Sequence, residues 1–185
     1  MQYRKMGNTG VSVSALGFGC MRFPLLEDGK TIDQAQAIGM LRNAIDAGMN
    51  YVDTAYFYHD QQSEPLVGKA LEDGYRDKVN LATKMPVFAM EKPEDFDIFL
   101  ENQLQRLQTD HIDFYLLHAL SRNTWRNKVL AFGLLDKMRK ARDEGKIRFL
   151  GFSFHDSEDA FLEILNGFDQ WDFCQIQMNY IDVEN

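Results

Sequence analysis

Asp53, Tyr58, Lys84 and His118 are four of the 185 residues of this chain that could together move a proton. A phenol is a weak acid at neutral pH, with an ordinary pKa of about 10. An ammonium beside it favours the ionised phenolate, and a carboxylate beside the ammonium holds that charge in place. An imidazole can hydrogen-bond a substrate oxygen. Together such groups make a general acid, able to protonate a carbonyl oxygen while something else attacks its carbon. Taken singly each residue has an ordinary explanation: an Asp as a turn former, a Lys as a surface charge, a Tyr or His as packing. Their joint placement at successive strand ends singles them out.

That placement comes from the elements that carry them. "NYVDTAYFYHD" (Asn50 to Asp60) arrives as a strand and ends in a run of aromatic and titratable groups. "KVNLATK" is a strand ending at Lys84, and "HIDFYLLHA" one ending near His118. The remaining chain alternates in the same way. An N-terminal hairpin over about residues 1–14 turns at Asn8–Gly10 and is followed by a strand around Ala15–Phe18. "TIDQAQAIGMLRNAIDAG" places Ile38, Leu41, Ala44 and Ile45 at helical spacing, with Thr31 as N-cap and Gly48 as the stop. "SEPLVGKALEDG" is a short helix capped by Ser63, and "PEDFDIFLENQLQRLQ" a helix with Phe96, Phe99, Leu100, Leu104 and Leu107 on one side. "VLAFGLLDKMRKARDEG" is a helix, "IRFLGFS" a strand, "SEDAFLEILNG" a helix and "FCQIQMNY" a last strand. Strands begin near residues 15, 50, 79, 112, 147 and 173. The period of about thirty residues is that of one βα unit. Apolar runs such as "IDFYLLH" suit parallel strands covered on both faces. Alternating units of this kind leave an open doubly wound sheet or a closed (β/α)8 barrel, and period and composition do not separate them. In both, functional groups gather beyond the carboxyl ends of the strands. There, besides the four residues above, stand the Gly-rich "GFGCM", Ser153 and Gln175.

Hydrophobic residues make up 45% and charged residues 26%, an ordinary globular balance. A net charge of −8 argues against a general nucleic-acid binder, which needs basic surface to meet phosphate. No apolar run approaches the ~20 residues of a membrane span, and "MQYRKMGNTG" has no apolar core of a signal peptide. Cys20 and Cys174 make no disulfide framework and lack ligand spacing, so both are expected to be free, buried thiols, with no metal site. These features point to one cytoplasmic domain that acts on a small molecule.

The sequence resembles the aldo-keto reductases along its whole length. "YVDTAYFYHDQQSEPLVGKAL" is similar to the family's second-strand signature, in which Asp is followed five residues later by the catalytic Tyr. "LATK" resembles the strand of the catalytic Lys, "IDFYLLHAL" that of the catalytic His, and "GKIRFLGFSFHD" the fifth strand. The resemblance implies a TIM (β/α)8 barrel. It implies a tetrad of Asp53, Tyr58, Lys84 and His118, in which Tyr58 is the acid in carbonyl reduction, Lys84 with Asp53 tunes it and His118 orients the carbonyl. It also implies NADP(H), or else NAD(H), bound without a Rossmann fingerprint. Gly19, Cys20 and Met21 would line the nicotinamide end, Asp53 would lie beside it, and Ser153 and Gln175 would hydrogen-bond the carboxamide. Phe154 stands where many members have Asn. "GFGCMRFP", "GFSFHD" and "QIQMNYID" resemble a bacterial branch that often carries a C-terminal ferredoxin-like extension, but no CxxCxxC occurs here.

A (β/α)8 barrel takes about 250 residues. Six strands and an end at "IDVEN" therefore read as a barrel cut after strand six, without the units that hold the cofactor's adenosine and 2′-phosphate. Such an arc is expected to self-associate through its open edges and to hold NADPH weakly. The intact tetrad favours an NADPH-dependent carbonyl reductase. The alternatives are a non-catalytic relative that binds a nucleotide or partner, and an inactive piece of the reductase.

Overall fold

The computed structural model describes residues 1–178 and residue 181. Strands β1 (Tyr3–Lys5) and β2 (Ser12–Ser14) pair antiparallel, with Tyr3 opposite Ser14. The turn between them falls where "GNTG" predicts: Gly7 and Gly10 take φ of 50° and 75°, backbone open to glycine without steric cost.

Six strands then form one parallel sheet: β3 (Phe18–Gly19), β4 (Tyr51–Asp53), β5 (Asn80–Met85), β6 (Ile112–Leu120), β7 (Ile147–Phe154) and β8 (Phe173–Ile176). Their order in the sheet is their order in the chain. A doubly wound sheet reverses direction at a switch point; this sheet has none. Crossovers of one hand then place every helix on the same face. The packing agrees. Helix residues Leu41 of α1 (Gln34–Asp46), Leu66 of α2 (Ser63–Ala70), Leu100 of α3 (Asp95–Leu107), Met138 of α5 (Leu134–Asp143) and Ile164 of α6 (Glu158–Asn166) join one core with Val52, Leu81, Tyr115, Leu150 and Phe152. A second cluster on the other face holds Ala82, Phe114 and Leu116, with Tyr51, Phe149 and Phe173 against it. Met6 and Val11 of the hairpin segment pack onto that inner cluster. The result is a curled, six-stranded arc of a TIM barrel, helices outside.

Several local expectations change. β3 is only two residues long, and the strand expected at Ala15–Phe18 begins later because Ala15 N–H still bonds back to Gln2 O at 2.8 Å. Asp33, not Thr31, caps α1: its Oδ1 accepts the Gln36 N–H at 3.0 Å, while Thr31 is held in a turn by Asp28. Ser63 is the first helical residue of α2 rather than its cap, since its hydroxyl donates to Cys20 O at 3.0 Å. The helix expected from Val129 is split. A short turn, α4 (Arg122–Thr124), runs into a π-helical turn at Trp125–Leu130, and Gly133 at φ 63° separates it from α5. Cys20 is buried as expected, but Cys174 is exposed, on the outer face of the edge strand β8. Among the described residues no helix is long and apolar enough to cross a membrane.

Candidate active site

Successive residues of a strand point to opposite faces. On β5, Ala82 is in the inner cluster, so Lys84 is also inward; on β4 the inner residue Tyr51 implies Asp53. The same parity makes Gly19, His118, Ser153 and Gln175 inward-facing at the carboxyl ends of their strands. The ladder adds a climb. Gly19 is level with Asp53 and Asp53 with Ala82, whereas Lys84 is level with Leu116 and Ser153 with Gln175. Lys84 therefore sits one inward step above Asp53, and His118 one step above Lys84. This is the stagger of tilted barrel strands, and it makes the groups diagonal neighbours.

Lys84 is the centre. It is 2% exposed, and its Nζ donates to Asp53 Oδ1 at 2.7 Å, Asp53 Oδ2 at 2.8 Å, the Thr54 carbonyl at 2.8 Å and Tyr58 Oη at 3.2 Å. A buried ammonium is tolerated because anion and dipoles surround it. Burial pushes the Asp53 carboxyl up, and Lys84 and a hydrogen bond from Gln175 pull it back. The His118 ring stands edge-on to Tyr58 with centroids 6.0 Å apart. Burial, then the charges of Lys84 and His155, lower His118 to about 4, so it is neutral at physiological pH. Among the described residues its buried Nδ1 has no hydrogen-bond partner.

An irregularity lies next to His118. The β6–β7 register shifts between Leu117 and Leu120, and Ala119 takes φ 49°. Bulges of this kind re-aim a side chain. The Ala119 N–H freed from the ladder donates to Ser153 Oγ at 2.7 Å.

Lys84 is also held from behind. Gln103 Nε2 donates to the Lys84 carbonyl at 3.1 Å and to Glu64 Oε1 at 2.7 Å, and Tyr115 Oη donates to Gln103 Oε1 at 2.7 Å. Thr83 Oγ1 donates to the same Glu64 oxygen at 2.7 Å. Burial raises the Glu64 carboxyl, and these donors oppose the rise.

The arrangement can present a phenolic proton, backed by a buried cation, to an oxygen that a neutral imidazole also contacts. The family model for the Aldo/keto reductase family matches residues 15–185. The chain belongs to the aldo/keto reductase family. It is 35% identical over 162 residues to the aldo-keto reductase YhdN of Bacillus subtilis (strain 168), covering 83% of this chain and 47% of that protein. The holo form of aldo-keto reductase AKR11C1 from Bacillus halodurans superposes with a TM-score of 0.76 at 28% identity, over 96% of this chain and 58% of that one. An aldo-keto reductase from Klebsiella pneumoniae in complex with NADPH gives 0.74 at 29% identity, over 97% and 59%. The chain thus spans about half the length of the curated relative it matches.

Against the aldo/keto reductase pattern, the tetrad residues converge as their spacing predicts. The expected cofactor residues divide. Ser153 and Gln175 share a rung on the inner face. The Ser153 oxygen accepts from Ala119 while its hydroxyl proton remains to be donated. Gly19 opens onto free space, with nothing within 4 Å of where a Cβ would stand. Met21 is exposed beyond it. Cys20 is turned away: it is 0% exposed in the outer core, its N–H donates to Asp53 O, and its carbonyl accepts from Ser63. Three participants have no signature in the spacing of titratable residues. They are the Thr54 carbonyl, the Ala119 bulge and Phe88, whose half-exposed ring lies 5.9 Å from His118 and 5.4 Å from Phe57.

Proposed function

We propose that this chain carries the proton-transfer site of a nicotinamide-dependent reductase that converts an aldehyde or ketone to an alcohol, with Tyr58 as the acid. The observation that carries the reading is Lys84 Nζ, bound by both Asp53 oxygens and 3.2 Å from Tyr58 Oη. A cation this buried serves little purpose on the inner face of a barrel unless an oxygen beside it gains negative charge. Tyr58 gives its proton to the carbonyl oxygen, and Lys84 stabilises the phenolate left behind. Neutral His118 donates a hydrogen bond that orients the carbonyl. In the reverse direction Tyr58 is the base.

The residues fit a nicotinamide: Ser153 has a proton to donate, Gln175 lies beside Asp53, and Gly19 leaves room for a flat ring. NADP(H), or NAD(H), bound there would supply the hydride. Ser153 and Gln175 would hold its carboxamide, with Gly19 and Met21 at the ring. The NADPH complex of the Klebsiella pneumoniae structure supports that choice of cofactor.

Tyr58→Phe removes only a hydroxyl. In the full natural polypeptide it should lower the rate of aldehyde reduction by about 10² to 10⁴ and leave cofactor binding, read by fluorescence titration, within a few-fold. A wild-type rate in Tyr58→Phe would end the assignment.

A further inference from the structure

The tetrad uses Tyr58 but leaves unexplained the histidine and the acid that follow it. His59, Asp60 and Gln61 take φ of 51°, 51° and 71°, three consecutive non-glycine residues in left-handed backbone. Each is disfavoured against right-handed backbone, because Cβ crowds the following carbonyl oxygen. Such a run persists only where its surroundings over-determine it.

The surroundings here are specific. His59 Nε2 accepts the Phe23 N–H at 2.9 Å, and the two rings lie 5.8 Å apart. Gln61 Oε1 accepts from Arg106 at 2.8 Å. Gln62 Oε1 accepts the Ile32 N–H at 3.2 Å, and its Nε2 donates to the Lys30 carbonyl at 3.1 Å. The Ser63 N–H closes the turn on the Tyr58 carbonyl at 3.3 Å. Of these ties, the one from His59 reaches the short loop directly after Gly19, Cys20 and Met21. It is also conditional. A neutral imidazole has one acceptor nitrogen; an imidazolium has none. The charged groups bearing on the ring are Arg22, on the loop it holds, and Asp60, on its own turn.

We propose that His59 is a positioning residue: its neutral imidazole, by accepting the Phe23 N–H, locks the left-handed turn behind Tyr58 to the loop after β3, and protonation opens that lock. The kinetic consequence rests on Tyr58 as the proton donor; the lock itself does not. Partial burial and the Arg22 charge keep the ring neutral below the usual histidine range, and Asp60 opposes them. The lock is therefore closed at neutral pH and opens on acidification. With it shut, the turn behind Tyr58 and the loop after β3 move as one body; with it open, that coupling is lost, and Tyr58 keeps the Lys84 bond and the ties of Gln61 and Gln62.

Hydrogen exchange at Phe23 and steady-state kinetics on the full natural polypeptide test this, using His59→Gln, which keeps an acceptor oxygen that does not titrate, and His59→Leu, which has none. The Phe23 protection factor, which corrects for the intrinsic pH dependence of exchange, should fall at least about tenfold in His59→Leu. In the wild type it should fall on acidification, beginning below the ordinary histidine range, and in His59→Gln it should stay high over the same range. The rate with an aldehyde and NADPH should fall about 10- to 100-fold in His59→Leu, as for a reacting group slightly misplaced. His59→Gln should recover most of it and lack the acid limb of the wild type. If His59→Leu does not fold, the wild-type and His59→Gln pH series decide. Phe23 protection that does not depend on pH in the wild type overturns the lock, and lost protection with an unchanged rate overturns the positioning role. A fully active Tyr58→Phe would instead remove the proton-donor reading and leave the Phe23 measurement standing.

Discussion

Ser153 Oγ accepts the Ala119 N–H at 2.7 Å, so a residue at the end of β7 fixes the bulge of β6 next to His118. Ser153 is 5% exposed, so little water can replace the bond.

Ser153→Ala should therefore do two things. Leaving the Ala119 N–H without its acceptor should cost about 1–3 kcal/mol, visible as a lower denaturation midpoint. Freed from its anchor, His118 should lose its place, and kcat should fall more than KM changes. A midpoint and kcat both equal to wild type would show that the bulge is held by something else.

Asp53 and Lys84 should behave as one unit. Lys84→Met leaves a buried carboxylate without its cation, and Asp53→Asn leaves a buried ammonium without its anion, each costing on the order of 3–5 kcal/mol. The double variant removes the mismatch that each single one creates. A double-mutant cycle on stability should give a coupling of at least about 1 kcal/mol. Simple additivity would contradict the geometry of the pair.

His118 makes stability depend on pH with a fixed sign. Its folded pKa of about 4 lies below the ordinary 6.5. Between those values the unfolded chain binds a proton that the folded one refuses, so stability is full above about pH 6.5 and falls as pH drops toward 4. The size is on the order of 2 kcal/mol, since the ring is only partly buried and solvent screens part of the effect. Urea titrations at pH 7 and pH 4.5 should show the loss, and His118→Gln should reduce it. An equal loss in His118→Gln would assign the pH dependence elsewhere.

The two edges of the arc should pair. Among the described residues β3 is bonded only to β4 and β8 only to β7, while Ile176 and Met178 are 53% and 87% exposed. Open edges and uncovered apolar side chains template association. A polypeptide of residues 1–185 should sediment above its monomer mass at micromolar concentration. A single monomeric species would show that the edges are blunted in some other way.

The sequence by itself determined the alternation of strands and helices and which residues stand at the strand ends of the candidate site. Asp53, Lys84 and His118 each end an apolar strand, and side-chain alternation is a local property of a strand that its own residues specify. Tyr58 follows Asp53 closely enough to share its loop. What the tertiary structure decided is everything that depends on register between strands, which no local pattern encodes. The climb from Asp53 to Lys84 to His118 brings residues 31 positions apart to within 2.7 Å of each other. Helix starts moved too: Thr31 and Ser63 have the chemistry of caps, but Asp28, three residues back, claimed the Thr31 hydroxyl within a local turn, and Cys20 and Thr54 engaged that of Ser63. Cys20 was expected at the cofactor and lies in the outer core, because β3 ends at Gly19 with that residue inward and the next one turned out. The left-handed turn at His59–Gln61 has no glycine to announce it. Bonds from Phe23 and Arg106, supplied by distant parts of the chain, help hold the backbone there.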